Sequence, residues 1–168
     1  MSCAELQESA LPTPSRASFR MVSLCNRQRV VDLDVEWLRA FAPRAVEECR
    51  GQHAGAHSVL NDLAEIEISI VSDRVMRELH RKFLGSSDPT DVITFQHGEI
   101  VISAETAREN AATFGQTIDE EIALYIIHGL LHLNGFEDAT PDGAARMQTL
   151  QLRAMNRCLD ELTSRPIP

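Results

Sequence analysis

Two histidines and one acid in the C-terminal half of the chain have the spacing of a metal centre. His128 and His132 are four residues apart, so in a helix they lie on one face about one turn apart. Both imidazoles can then reach a single metal ion. Gly135 can adopt a positive φ and turn the chain back, which would bring Asp138 to the ion as a third ligand. The neighbouring Glu137 is the competing third ligand.

The apolar surroundings of the two histidines support this interpretation. Segment 118–134 is predicted to be a helix and is mostly apolar, so two buried imidazoles in it would need polar partners. Three protein ligands leave the fourth position of a zinc ion open, as a catalytic site requires. Zinc proteases of the HExxH type have a glutamate directly after the first histidine, but residue 129 is glycine. The sequence therefore predicts a metal site that lacks the general base of a peptidase.

The elements that must position these residues predict an α+β fold. The predicted strands are 22–24 or 29–31, 65–71, 91–95 and 99–103, with the last two as a hairpin, and the predicted helices are 34–49, 73–83, 105–114, 118–134 and 141–162. Asp34, Ser72 and Thr117 are predicted N-caps, the last in a capping box with Glu120. Segment 65–71 alternates in polarity and predicts a strand with one buried face. Together they predict a small mixed four-stranded sheet covered by helices, similar to zinc-dependent hydrolases.

The length and the cysteines indicate the organisation and the compartment. With 168 residues, one domain is expected. We predict a disordered extension at 1–20, a single metallo-hydrolase domain at 21–163 and a tail at 164–168. The four cysteines are scattered without a CxxC pair, which is typical of reduced thiols. Neither a secretory signal nor a long apolar run is present, so a cytoplasmic protein is expected.

The charge restricts how the chain could meet nucleic acid. Sixteen Lys and Arg against 25 Asp and Glu give a net charge of −9, which excludes a generally basic coat protein. The predicted helix 73–83 nevertheless carries a cationic cluster, which consists of Arg74, Arg77, Arg81 and Lys82, with His80. This cluster is either a groove wall that contacts RNA phosphates or an ordinary solvated helix face. With one Trp and one Tyr, a platform for stacking bases is poorly supplied.

The segment HGLLHLNGFED, at 128–138, resembles the HGxLHLxGYDH signature of the YbeY family, bacterial metal-dependent endoribonucleases that act in ribosomal RNA maturation. PTDVITF at 89–95 is similar to the family's PT(D/N)VLSFP segment. EIVIS at 99–103 with ETA at 105–107 is similar to its GDIVIS-ETA segment, and 79–83 stands where the family has LNxxY/F. The resemblance covers about residues 22–160.

The resemblance implies a zinc-dependent, single-strand-specific endoribonuclease that processes the 3′ end of 16S ribosomal RNA and acts in ribosome quality control. It implies one zinc ion held by His128, His132 and Asp138, with both histidines also in catalytic roles. Ribosomal RNA, small-subunit proteins and an assembly GTPase are the expected partners, and neither a membrane nor DNA is expected.

Two departures from the family pattern bear on catalysis. Most members have His where this chain has Asp138, and a carboxylate ligand would make zinc a weaker Lewis acid. The family's usual catalytic Arg aligns with Leu84, so Arg81, one helical turn earlier, is the candidate replacement. Thr90, Asp91 and Ser103 are expected to shape the cleft.

Two other function classes stay open at this point. One is a non-enzymatic ribosome-assembly factor that keeps zinc as a structural element, which Leu84 favours. The other is a metallohydrolase of another class, such as a peptidase or an esterase, which Gly129 disfavours. His97, in the predicted hairpin turn, is either a proton carrier near the site or incidental.

Overall fold

Four strands and five helices make up the described part of the computed structural model, which covers residues 21–52, 55–85 and 90–164. The elements are β1 (Met21–Asn26), α1 (Val35–Arg50), β2 (Glu65–Val71), α2 (Asp73–Leu84), β3 (Val92–Phe95), β4 (Glu99–Ser103), α3 (Ala104–Phe114), α4 (Ile118–Leu133) and α5 (Pro141–Ser164). Each predicted helix is present, with ends within two residues of the prediction. The predicted disordered extension lies outside the described residues, and the predicted domain boundaries stay a prediction.

The sheet is mixed, which confirms the predicted fold class. Its strand order is β1-β2-β4-β3, with β1 and β4 parallel to β2 and with β3 antiparallel to β4 in the predicted hairpin. The first strand is at 21–26, so the alternative at 29–31 is wrong. The prediction of one buried face for β2 is also wrong, because residues 68–71 are all buried. An inner strand with helices on both sides has no solvated face.

Two hydrophobic clusters cover the two faces of the sheet. The larger one joins the isoleucines of β2 and β4 to α1, α4 and α5. The smaller one lies on the other face, where Met76 of α2 packs against Val71, Ile93 and Val101. Successive strand residues point to opposite faces, so Ile100 and Ile102 face the larger cluster and Val101 faces the smaller. Helices α4 and α2 therefore lie on opposite sides of the sheet.

Side-chain caps begin α1 and α4 as the sequence predicts. The Asp34 carboxylate accepts a hydrogen bond of 2.9 Å from the backbone N–H of Trp37. At α4, the Thr117 hydroxyl accepts from the N–H of Glu120, and the Glu120 carboxylate accepts from the N–H of Thr117. This capping box satisfies two N–H groups that the helix itself leaves without partners.

The start of α2 differs from the prediction. Ser72 makes no side-chain capping bond, and the N–H of Asp73 donates instead to the Glu105 carboxylate at 2.8 Å. The Asp73 carboxylate in turn accepts from the hydroxyls of Ser103 and Thr106. These bonds join the first turns of α2 and α3. Ser103 is fully buried in this network, so it does not line a solvent-filled cleft.

Two of the cysteines are buried free thiols. Cys49 and Cys158 are buried between α1 and α5, and Cys25 is partly exposed. Burial raises the pKa of the Cys158 thiol to about 12 and also raises the pKa of Cys49. Because the thiolate is the reactive form, both side chains are expected to be inert near neutral pH.

We expect native-state alkylation, mapped by mass spectrometry, to modify Cys25 and to spare Cys49 and Cys158. Both buried thiols should react once the protein is unfolded in denaturant. Modification of Cys158 at the rate of Cys25 in the folded protein would contradict this prediction.

Helix α4 approaches the sheet closely at Gly129. A Cβ atom there would lie 2.9 Å from Cγ2 of Ile100 and 3.0 Å from Oγ1 of Thr94. Both neighbours are β-branched and stiff, and both belong to strands, so they cannot easily move aside. A side chain at position 129 therefore has no space, which excludes the glutamate that a peptidase would place there.

We expect Gly129→Ala to destabilise the protein although alanine is the better helix former. Overpacking costs about 1–3 kcal/mol and the gain in helix propensity is about 1 kcal/mol. The free energy of unfolding, measured with urea, should thus fall by up to about 2 kcal/mol. Gly51→Ala is the matched control, because a Cβ there meets nothing closer than 3.5 Å and φ is −72°. Equal stability of the two variants would contradict the close approach.

Candidate metal centre

A sharp chain reversal after α4 shapes the candidate site. Gly135 has a φ of +81°, and a Cβ on it would lie 2.9 Å from the backbone nitrogen of Ser58. Gly55 lies on the same side as Ser58, with its carbonyl carbon 3.1 Å from that Cβ position, and its N–H donates to the carbonyl of Asn134 at 2.8 Å. The buried Asn134 side chain donates to the carbonyl of Cys49 and accepts from the Ser58 hydroxyl. These bonds hold the chain where it turns back along the helix.

The reversal brings the three predicted ligands together. Nε2 of His128 lies 3.0 Å from Nε2 of His132. The Asp138 carboxylate oxygens lie 3.6 Å from Nε2 of His128 and 3.8 Å from Nε2 of His132. The side chains of the two histidines are about one-fifth exposed and that of Asp138 is 42% exposed, so solvent reaches the group. Among the described residues, these three form the one group of possible metal ligands that converges on a single point.

The far side of each imidazole is held by an oxygen acceptor. Nδ1 of His132 lies 3.0 Å from the carbonyl oxygen of Phe136, and Nδ1 of His128 lies 3.1 Å from Oε1 of Gln151 on α5. An acceptor at Nδ1 keeps the proton there and leaves the lone pair on Nε2. Both lone pairs then point at the same space beside the Asp138 carboxylate.

This arrangement fits a cation. Two neutral imidazoles with facing lone pairs repel each other, and a carboxylate beside them adds further negative charge. A tetrahedral zinc with bonds of about 2.0–2.1 Å separates its ligands by about 3.3 Å, close to the distances between these atoms. Two nitrogens and one oxygen are a donor set that zinc accepts, with a fourth position facing solvent.

Within the described part of the chain, the other predicted site residues form no hydrogen bond or ion pair with this group. Glu137 is exposed and does not join the converging ligands, so the geometry favours Asp138. Arg81 is exposed on α2, on the opposite side of the sheet from α4, and none of its contacts within the described residues reaches the histidines. Thr90 and Asp91 bond locally to the backbone of Val92 at the start of β3.

Two contributors to the site have no signal in the sequence. Gln151 is 13 positions beyond Asp138, and only the packing of α5 on α4 brings it to His128. The carbonyl of Phe136 is a backbone group, so its role depends on the turn and not on a side chain. Asn134, next to the predicted helix stop, could have been singled out as a polar residue at the end of an apolar helix.

Comparisons with known proteins identify the family of this chain. The sequence model of the family described as Endoribonuclease YbeY matches residues 23–159. The chain belongs to the YbeY family. A YbeY endoribonuclease of Rhodopirellula baltica is 34% identical over 126 residues, which are 69% of this chain and 59% of that relative. One of Frankia casuarinae is 30% identical over 150 residues, which are 77% of this chain and 70% of the relative.

The share of each relative that this chain matches varies, and one solved structure has a similar fold. The chain spans 34% of the YbeY endoribonuclease of Myxococcus xanthus, with 36% identity over 100 residues. The solution structure of TM1509 from Thermotoga maritima has a similar fold, with a TM-score of 0.58 and 25% identity. That match covers 87% of this chain and 94% of TM1509. No helix in the described ranges is both long and apolar enough to cross a membrane.

We expect His132→Ala and Asp138→Asn to lower bound metal strongly, because each removes one of three ligands. Gln151→Ala should weaken metal affinity about 10–100-fold, the usual effect of losing the group that orients a ligand. Mass spectrometry after dialysis against zinc measures the bound metal, and competition with a chelator measures the metal affinity. Glu137→Gln is the matched control. Loss of metal in Glu137→Gln, with full metal in Asp138→Asn, would assign the third ligand to Glu137.

Proposed function

We propose that this chain is a zinc-dependent endoribonuclease that cleaves single-stranded RNA in the maturation of ribosomal RNA. The observation that carries the proposal is the convergence of His128, His132 and Asp138, within the part of the chain that matches the YbeY family model. The endoribonuclease activity is the one named for the relatives, and the two nitrogen donors and one oxygen donor support zinc as the metal.

Each residue of the site has a separate task in this proposal. His128, His132 and Asp138 would hold a zinc ion, which would supply a Lewis acid for a phosphate oxygen and for an attacking water. Gln151 and the carbonyl of Phe136 orient the two imidazoles and hold their Nδ1 protons. Asp138 adds a negative charge, which lowers the Lewis acidity below that of a three-histidine site. We therefore propose a slower enzyme than a relative with a third histidine.

The cationic cluster on α2 supports an RNA substrate. Arg77, Arg81 and Lys82 are exposed and pair with no carboxylate within the described part of the chain. We propose that Arg81 contacts a phosphate of the RNA, in place of the family's arginine at position 84. Because the chain carries a net charge of −9, its affinity for naked RNA is expected to be weak and salt-sensitive.

If the chain binds naked RNA only weakly, other molecules must bring it to its cleavage site. We propose that small-subunit proteins, and an assembly GTPase with them, bring the chain to the 3′ end of 16S ribosomal RNA, and that quality control of ribosomes is a further task. The buried free thiols support a reducing cytoplasmic compartment.

We expect zinc-loaded protein to cleave a single-stranded RNA and to leave a duplex of the same sequence intact. His128→Ala should reduce cleavage by at least about 100-fold, because it removes a metal ligand, and a chelator should do the same to the wild type. Glu137→Gln is the control and should keep full activity.

The same assay separates the alternative functions. Equal background cleavage by wild type and His128→Ala, with zinc bound to the wild type, would overturn the nuclease and leave a zinc-stabilised assembly factor. Chelator-sensitive turnover of casein or of an ester, without RNA cleavage, would instead indicate another class of metallohydrolase.

A further inference from the structure

Three aromatic rings form a continuous row on the surface at the end of β3. Phe83, in the last turn of α2, meets Phe95 edge to face, with ring centroids 5.3 Å apart and an angle of 79°. Phe95 stacks on His97 with centroids 5.5 Å apart and an angle of 28°. We call Phe83, Phe95 and His97 the aromatic ladder.

The two outer rings of the ladder are largely exposed to solvent. Phe83 is 53% exposed and the His97 side chain is 70% exposed, whereas Phe95 joins the small cluster beneath α2. A half-exposed phenylalanine next to other rings gains free energy when a flat apolar partner covers it. The inner ring therefore supports the fold, and the two outer rings present faces to solvent.

Positive charge lies directly beside the ladder. The ammonium of Lys82 lies over the Phe83 ring, 5.1 Å from its centroid, so one face of that ring already carries a cation. Arg77 and Arg81 lie on the same helix, and neither forms an ion pair within the described ranges. This is a local cationic surface on a chain whose net charge is −9.

Among the described residues, the nearby acids do not pair with the cations beside the ladder. Glu78 pairs with Arg74 at 3.4 Å, one helical turn before the ladder. Glu99 lies 3.3 Å from Nε2 of His97 and holds the ring on Phe95. The acids thus neutralise Arg74 and orient His97, and they do not pair with Arg81 or Lys82.

We propose that the aromatic ladder stacks one or two unpaired bases of the RNA, while Arg77, Arg81 and Lys82 contact the phosphates on either side. Aromatic faces beside cations are the usual means of binding single strands, because every base has a π-face and every nucleotide a phosphate. The inference rests on the proposed function and adds to it the place where nucleotides away from the cleaved bond are held.

The edge strand β3 connects the ladder to the metal centre. Thr94 faces α4, where its hydroxyl lies against Gly129, and Phe95 faces α2. Gly129 directly follows the metal-ligand candidate His128 on α4. Because β3 is the last strand of the sheet, we propose that single-stranded RNA crosses this edge from one face of the sheet to the other. A rigid duplex cannot follow this path, which agrees with a preference for single strands.

The test compares two exposed phenylalanines. We expect Phe83→Leu to weaken binding of a labelled single-stranded oligoribonucleotide by about fivefold or more, since stacking of one base corresponds to about fivefold to a hundredfold in affinity. Phe114→Leu is the matched control, because Phe114 is 72% exposed at the end of α3, outside the ladder. Phe83→Tyr keeps the ring and should bind like the wild type. Anisotropy at low temperature, with the oligonucleotide shown to be intact afterwards, gives the affinities.

Salt dependence and fluorescence separate stacking from charge. Phe83→Leu should lower the affinity by the same factor at every salt concentration, because no phosphate contact is lost. Arg81→Gln should instead reduce the magnitude of the slope of log affinity against log salt by about one, because one phosphate contact is lost. A 2-aminopurine base in the oligonucleotide should be quenched by the wild type and by Phe114→Leu, and less by Phe83→Leu and by His97→Ala.

Several outcomes would overturn the ladder. Equal RNA affinity of Phe83→Leu and Phe114→Leu, with His128→Ala still required for cleavage by the same assay, would reject the ladder and keep the proposed nuclease. If Phe83→Leu bound RNA as tightly as the wild type at low salt, the surface would bind RNA through charge alone and not by stacking. Zinc-loaded wild type that neither binds nor cleaves any single-stranded RNA would reject the proposed function and the ladder together.

Discussion

The close approach of Gly55 and Gly135 is the contact on which the metal centre depends. A Cβ on Gly55 would lie 1.9 Å from the carbonyl oxygen of Gly135, and Gly135 itself has a φ of +81°. Only glycine at both positions allows the two backbones to meet, because side chains would push them apart. The reversal that results places the carbonyl of Phe136 on His132 and returns Asp138 to the imidazoles. The ligands converge because the backbone can turn there.

Helix α4 has two different sides, one that packs in the core and one that carries the candidate ligands. Its apolar side packs on the sheet and on α1, α3 and α5, with Gly129 at the closest point. His128 and His132 lie at the other side, where α5 supplies Gln151 and solvent has access. Because Gly129 faces the strands, no glutamate can stand next to the first histidine, as it does in a zinc peptidase. The lack of space at position 129 therefore distinguishes this site from those of zinc peptidases, although the histidine spacing is similar.

In our proposals, one face of the sheet carries the site that cleaves RNA and the other face carries the surface that binds it. The metal centre is on the side of α4, and the cations of α2 with the aromatic ladder are on the other side, joined by the edge strand β3. A net charge of −9 would repel RNA if the charges were evenly spread, so attraction depends on where cationic side chains cluster on the surface. Composition alone predicts a poor stacking surface, with one Trp and one Tyr. The fold nevertheless assembles one from Phe83, Phe95 and His97.

The sequence by itself determined the helices, the caps at Asp34 and Thr117, the mixed sheet, and the three residues of the candidate metal centre. The helices and caps follow from periodicity and capping, and the candidate ligands follow from the spacing of two histidines on α4 and an acid after the turn, all of which are patterns over a few residues. The mixed sheet was predicted from the order of strands and helices along the chain. Tertiary structure alone decided that β2 is buried on both faces, that Glu105 and not Ser72 caps α2, and that Gln151 orients His128. It also decided which surface carries adjacent rings and cations. Each of these depends on contacts between segments far apart in the chain, and no local pattern encodes which segments will meet.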